Sequence, residues 1–199
     1  YDGITEWLND EMSHSFTSNQ YVIIHCPEQG ALKQSVADAG YDFKTIENLK
    51  VTGTLTGSDF EFINKEMSAL KHLNLKEVKV KDAYVYYDKV VEVEKNHWEW
   101  LTRQMDNAIP EKAFYQNKNL RSVLLPKGIT HIGDNAFREM QLMYSTLEIP
   151  EGVTYIGNDA FGWNDYNGVE LVLPLSLDTI CDYAFANCNS LTSITIPES

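Results

Sequence analysis

LPKGITHIGDNAF (125–137) and IPEGVTYIGNDAF (149–161) are one phrase written twice, 24 residues apart. Two looser copies flank them. Ile109…Ala113-Phe114 precedes and Ile180…Ala184-Phe185 follows, so the Ala-Phe pairs recur at intervals of 23, 24 and 24 residues. A proline stands at a near-constant distance after each pair, at Pro126, Pro150, Pro174 and Pro197. A fixed period of 20–29 residues is the mark of a solenoid that spends one strand on each coil.

The residues before each proline alternate. Val123-Leu124-Leu125, Leu147-Glu148-Ile149, Leu171-Val172-Leu173 and Ile194-Thr195-Ile196 place apolar side chains first and third. Successive strand side chains point to opposite faces, so Leu124, Glu148, Val172 and Thr195 face outward. Proline lacks a backbone donor and ends each strand. Ile129, Val153 and Leu177 then turn an apolar group back inward. Gly133 and Gly157 mark a place that needs positive φ or close backbone approach, although Cys181 replaces the glycine in the last coil. The Ala-Phe pair closes the far wall: alanine permits tight packing and phenylalanine fills the coil.

Upstream the repeat is weaker. Leu70, Leu73 and Leu75 carry the strand signal, and Leu49 and Val51 match Leu73 and Leu75 one period earlier. Between them, Ser58-Asp59-Phe60-Glu61 reads as a Ser-x-x-Glu capping box, with Phe60, Ile63 and Met67 at helical spacing. This coil therefore carries a helix where later coils have only a turn.

The phrases at 125–137 and 149–161, with AFANCNSLTSITIP at 184–197, resemble the BspA-like (Treponema-type) leucine-rich repeats of bacterial surface proteins. The resemblance covers residues 108–199 strongly and 46–76 moderately. It implies an α/β leucine-rich-repeat solenoid with one parallel β-sheet. It also implies a secreted or surface-exposed, non-enzymatic and adhesive protein, in a family some of whose members bind host or matrix proteins. The matched residues are structural, so the resemblance assigns no binding residue.

Residues 1–45 read as an N-terminal α/β cap on the solenoid of 46–199. Ile4, Trp7, Leu8 and Met12 have helical spacing, Tyr21-Val22-Ile23-Ile24 is a strand candidate, and Ala31 to Ala39 reads as a helix stopped by Gly40. An insertion at about 77–107 follows, with Val and Tyr in rough alternation from Val78 to Val93. It reads as a hairpin, with Asp88-Lys89 as its turn, or as a degenerate coil. HWEWLTRQM (97–105) places Trp98, Leu101 and Met105 at helical spacing.

The chain has a net charge of −13, which argues against nucleic acid and anionic membranes as partners. It contains no apolar run long enough to span a membrane. No secretory leader is visible, and a start at Tyr1 is what a processed or trimmed chain would show. Cys26, Cys181 and Cys188 are an odd set without metal spacing and read as buried thiols, a Cys181–Cys188 disulfide being the alternative. His14, His25, His72, His97 and His131 are dispersed, with His131 expected on a turn and His72 on a strand. There is no nucleophile elbow, phosphate loop or His-Glu-x-x-His motif. No catalytic residue, metal or cofactor is expected.

Recognition is expected on the outward strand column Lys50, Asn74, Leu124, Glu148, Val172 and Thr195, with His72, Ser122, Thr146, Glu170 and Ser193 beside it. These chemically mixed residues suit a protein partner. The alternative is a glycan-binding accessory protein using Tyr84, Tyr86, Trp98 and Trp100 in the insertion, or Trp163 and Tyr166 in a polar-aromatic loop. A monomer is expected, because Pro197 blunts the last strand edge; a two-fold dimer through the C-terminal coil is the alternative.

Overall fold

A computed structural model describes residues 21–95, 97–140, 148–164, 170–189 and 191–196. The expected helix around Ile4 to Met12 lies outside them. The described chain begins with strand β1 (Tyr21–Cys26), helix α1 (Leu32–Asp38), β2 (Asn48–Leu55), helix α2 (Gly57–Glu66) and β3 (His72–Val80). Two longer strands follow, β4 (Ala83–Glu94) and β5 (His97–Met105). Then come the short strands β6 (Ala108–Ile109), β7 (Ser122–Leu124), β8 (His131–Ile132), β9 (Tyr155–Ile156), β10 (Glu170–Val172), β11 (Thr179–Ile180) and β12 (Ser193–Thr195).

The coils stack as a parallel β-solenoid. One wall is the parallel sheet β1-β2-β3-β7, and β10 pairs with β12 in the same direction further along the chain. Its register places Leu73 against both Leu49 and Val123, and Leu171 against Ile194. The inward residues Val22, Leu49, Leu73, Val123 and Leu171 are buried. Ile180 and Ile194 hold inward positions in the last described coil and are 42% and 38% exposed.

The register slips once, where Lys50 pairs with Asn74 but Thr52 pairs with Glu77. An extra residue flips the faces of everything after it. The slip suits the sequence, because Val78 and Val80 would otherwise point outward; both are buried, and Glu77 and Lys79 are exposed. The side-chain oxygen of Asn74 accepts a hydrogen bond from the Lys76 amide at 3.0 Å, which holds the bulge.

The structure adds a second parallel ladder to the single sheet expected from sequence. β6, β8, β9 and β11 form the opposite wall, so His131 is a strand residue and not part of a turn. Here the glycine requirement is one of approach. A Cβ on Gly133 would lie 2.6 Å from the Glu111 amide nitrogen, and one on Gly157 would lie 2.7 Å from that of Asp134.

The Ala-Phe turns form a third ladder. Phe114, Phe137 and Phe161 each donate their amide to the alanine carbonyl of the next coil at 2.8 Å. Two non-glycine residues per turn take positive φ to make this geometry: Lys112 and Gln116, Asn135 and Glu139, Asp159 and Trp163, Tyr183 and Asn187. That conformation costs about 1–2 kcal/mol for most residues. The inter-coil hydrogen bonds and the rings behind them offset it. Phe137 and Phe161 stack at 5.1 Å and 6°, and Phe161 and Phe185 at 5.2 Å and 3°. Phe114 continues the column toward Phe60 of α2.

The insertion is an antiparallel hairpin of β4 and β5. Glu94 pairs with His97, so the turn falls there and not at Asp88-Lys89. The helical spacing of Trp98, Leu101 and Met105 is overridden, because β-branched and aromatic residues across the pair favour the ladder. The expected Ser58 cap is also displaced by two residues: helix α2 begins at Gly57, with Thr56 as its cap.

Phe161 is fully buried between two stacked rings. Phe161→Ala is expected to cost about 3–5 kcal/mol, as large-to-small aromatic core changes do. A denaturant titration checks it; a loss under about 1 kcal/mol would mean the column does not hold the coils together.

Candidate functional site

The strand register aligns the outward residues into rows. Asn48, His72 and Ser122 form one row, and Ile23, Lys50, Asn74 and Leu124 another. Glu170 pairs with Ser193, and Val172 with Thr195. The rows differ sharply in exposure along the solenoid. Lys50, Asn74 and Ser122 are buried, and His72 and Leu124 are half-buried. Glu148, Val172, Ser193 and Thr195 are exposed, Val172 by 62%.

The buried members are engaged within the protein. The Lys50 ammonium meets a Glu77 carboxylate oxygen at 2.9 Å. His72 Nδ1 and Ser122 Oγ share a hydrogen bond of 2.7 Å, and Asn74 fastens the bulge in β3. A buried charge or amide must be partnered inside the fold, so these three side chains serve the sheet and are not offered to solvent. This corrects the expectation of one uniform outward column: its accessible members are Glu148, Val172, Ser193 and Thr195, while Ile23 is exposed on the edge strand β1 at the other end of the row. Thr146 lies outside the described residues.

Of the aromatic candidates, Tyr84 and Trp163 are each 54% exposed. Tyr86 stands on β4, and Trp98 and Trp100 stand on β5, where they pair with Glu92 and Val90. Tyr166 lies outside the described residues. Trp163 sits in the turn column of Gln116 and Glu139, whereas Tyr84 sits at the base of the hairpin, so they belong to different parts of the surface.

Tyr84, a glycan-contact candidate from the sequence, lines a groove that the sequence did not reveal. This groove, of about 980 Å³, opens where helix α2 is followed by a coil that has only a turn. Its walls are the exposed side of α2, the turn at 110–119 and the hairpin base with Asp82, Tyr84 and Gln104. Its floor is closed by the buried residues Phe60, Ala113 and Asn117. Asn117 donates to the side-chain oxygen of Asn64 at 2.8 Å, and Asn64 donates to the Tyr115 carbonyl at 3.2 Å. Asn117 also accepts from the amides of Asn119 and Leu120. The floor is thus tied across from helix to turn. The extra helix was legible in the sequence; the space beside it depends on how far the neighbouring turn falls short.

Asp59 positions the helix wall. Its buried carboxylate accepts from the Thr56 amide at 2.8 Å and the Thr56 hydroxyl at 3.1 Å. It also accepts from the Gly30 and Leu32 amides, at 3.1 and 3.0 Å. One side chain therefore caps α2 and fastens it to the start of α1. At the hairpin mouth Lys81 bonds the Asp106 carboxylate, which also accepts from the Asp82 amide at 3.3 Å. The hydrogen bond from Lys81 holds the Asp106 carboxyl below its ordinary pKa.

All three cysteines are free. Burial, reinforced by the Asp59 charge, pushes the Cys26 thiol up to about 11, and burial raises Cys188 as well. Both are protonated near neutral pH and poor nucleophiles. Among the described residues, no group of three or more metal-binding side chains forms, and no helix is long and apolar enough to cross a membrane.

The family model described as the BspA type leucine rich repeat region matches residues 107–199 in six copies. That part of the chain belongs to the BspA-type repeats. A search of curated proteins found no match.

Asp59→Ala removes the acceptor of the buried Leu32 amide, at about 1–3 kcal/mol, and of the part-buried Gly30 and Thr56 donors, at less each. A loss of about 3 kcal/mol in chemical denaturation is expected, with α2 exchanging its amides faster than β2. Wild-type exchange rates in α2 would show that the Asp59 cap does not hold the wall.

Proposed function

We propose that this BspA-type repeat protein is a non-enzymatic binding module of the cell surface or extracellular space, which recognises a protein partner through the outward face of its solenoid sheet. The observation that carries the reading is the exposure of the C-terminal half of that face. Val172 and, on the neighbouring strand, Ser193 and Thr195 form a solvent-facing strip, with Glu148 exposed one period earlier, while the equivalent positions of β2 and β3 are buried. Val172 is a large apolar side chain exposed on a sheet whose other face is core. Apolar exposure rimmed by polar residues is a mark of protein contact surfaces.

The family carries the localisation and the absence of catalysis in this reading. The acidic balance of the chain adds a preference: a partner with a basic surface associates faster with a protein of net charge −13. The hairpin of β4 and β5 stands beside β6 and supplies a second surface that such a partner could reach.

The test uses immobilised extracellular-matrix and plasma proteins, screened for binding to the intact chain. Val172→Asp places a charge in the centre of the strip without touching the core. Binding is expected to weaken about tenfold or more, as at a central contact residue, with the melting temperature unchanged. Undiminished binding by that variant would move recognition off the sheet face.

A further inference from the structure

The groove beside α2 lies away from the exposed strip and is not explained by recognition on the sheet. Its rim is electrically balanced. Glu61, Asp82 and Glu111 face Lys65, Lys112 and Lys118. Lys65 is paired with Glu61, Lys112 with Glu111, and Lys118 bonds the Glu139 carbonyl. In a chain of net charge −13, this is a neutral concavity whose cations are already engaged. An anionic ligand would meet the repulsion of the whole protein and find no ammonium without a partner.

The rim carries both donors and acceptors. Gln104 and Asn119 add side-chain amides, that of Gln104 donating to the Asp82 carbonyl at 3.5 Å, and the carboxylates add acceptors. Tyr84 adds an exposed aromatic face, and Tyr115 a half-buried one. The negative face of a tyrosine ring attracts the C–H-bearing face of a sugar, and vicinal hydroxyls use donors and acceptors together. The floor is preorganised by the Asn64–Asn117 bond, so little order has to be imposed on binding.

We propose that this groove binds a neutral oligosaccharide, with Tyr84 as the stacking platform and Gln104 as a polar contact. The site is independent of protein recognition on the sheet and can fail or succeed separately from it.

The experiment presents the intact chain with three immobilised probes: neutral hexasaccharides, a sulfated polysaccharide and a random dodecapeptide library. Binding to a neutral hexasaccharide is expected. Tyr84→Ala should weaken it about tenfold, the scale of one aromatic contact, with the melting curve unchanged. If that variant melts early, Gln104→Ala, at an exposed position, reads the same groove. Val172→Asp should bind the hexasaccharide as the wild type does. No binding to any neutral hexasaccharide overturns the proposal. So does preference for the sulfated polysaccharide or for peptides, or full affinity in both groove variants.

Discussion

Each coil hands its backbone to the next through the Ala-Phe turn, and the rest of the structure depends on that contact. The amides of Phe114, Phe137 and Phe161 reach alanine carbonyls one period later, while the rings behind them stack at about 5 Å. A hydrogen-bond ladder sets the spacing and the apolar column fills the interior. Neither would suffice by itself. The ladder without the rings would enclose a void, and the rings without the ladder would not set a register.

This contact explains otherwise odd features of the wall. Eight non-glycine residues in the turns adopt positive φ, including Tyr183 and Trp163. The conformation persists because it brings the amides into line with the next coil. Gly133 and Gly157 belong to the same arrangement, since a Cβ would strike the backbone of the preceding coil. Strain and small size are therefore distributed by column, not by individual loop.

The upstream half solves the same packing problem with different parts. Helix α2 replaces the tight turn and brings Phe60 to the end of the ring column, 5.7 Å from Phe114. A helix is bulkier than a turn, so the change of device leaves a step between neighbours. The groove is that step, and Asp59, Asn64 and Asn117 are the polar ties that hold its sides. On the sheet face the same half buries Lys50, Asn74 and Ser122 with internal partners, while the C-terminal half leaves Val172 and Thr195 exposed. Surface open to recognition is thus distributed unevenly along a regular scaffold.

The sequence by itself determined the solenoid, the period, the strands before Pro126, Pro174 and Pro197 and the burial of Phe137 and Phe161, while the described residues Glu148 and Ile149 before Pro150 form no strand. It could do so because contacts between coils fall at a constant sequence offset, which makes tertiary neighbours visible as repetition. Where the offset breaks, legibility ended. The spacing of Trp98, Leu101 and Met105 suggested a helix, but pairing across β4 and β5 outweighed that local periodicity. The second ladder of β6, β8, β9 and β11 uses two-residue strands, too short to show alternation. Only the tertiary structure decided which outward residues meet solvent, because alternation reports the side of a sheet and not what covers it. The groove too was decided there: it is space between two unlike devices, and its walls come from segments separated by dozens of residues with no shared period.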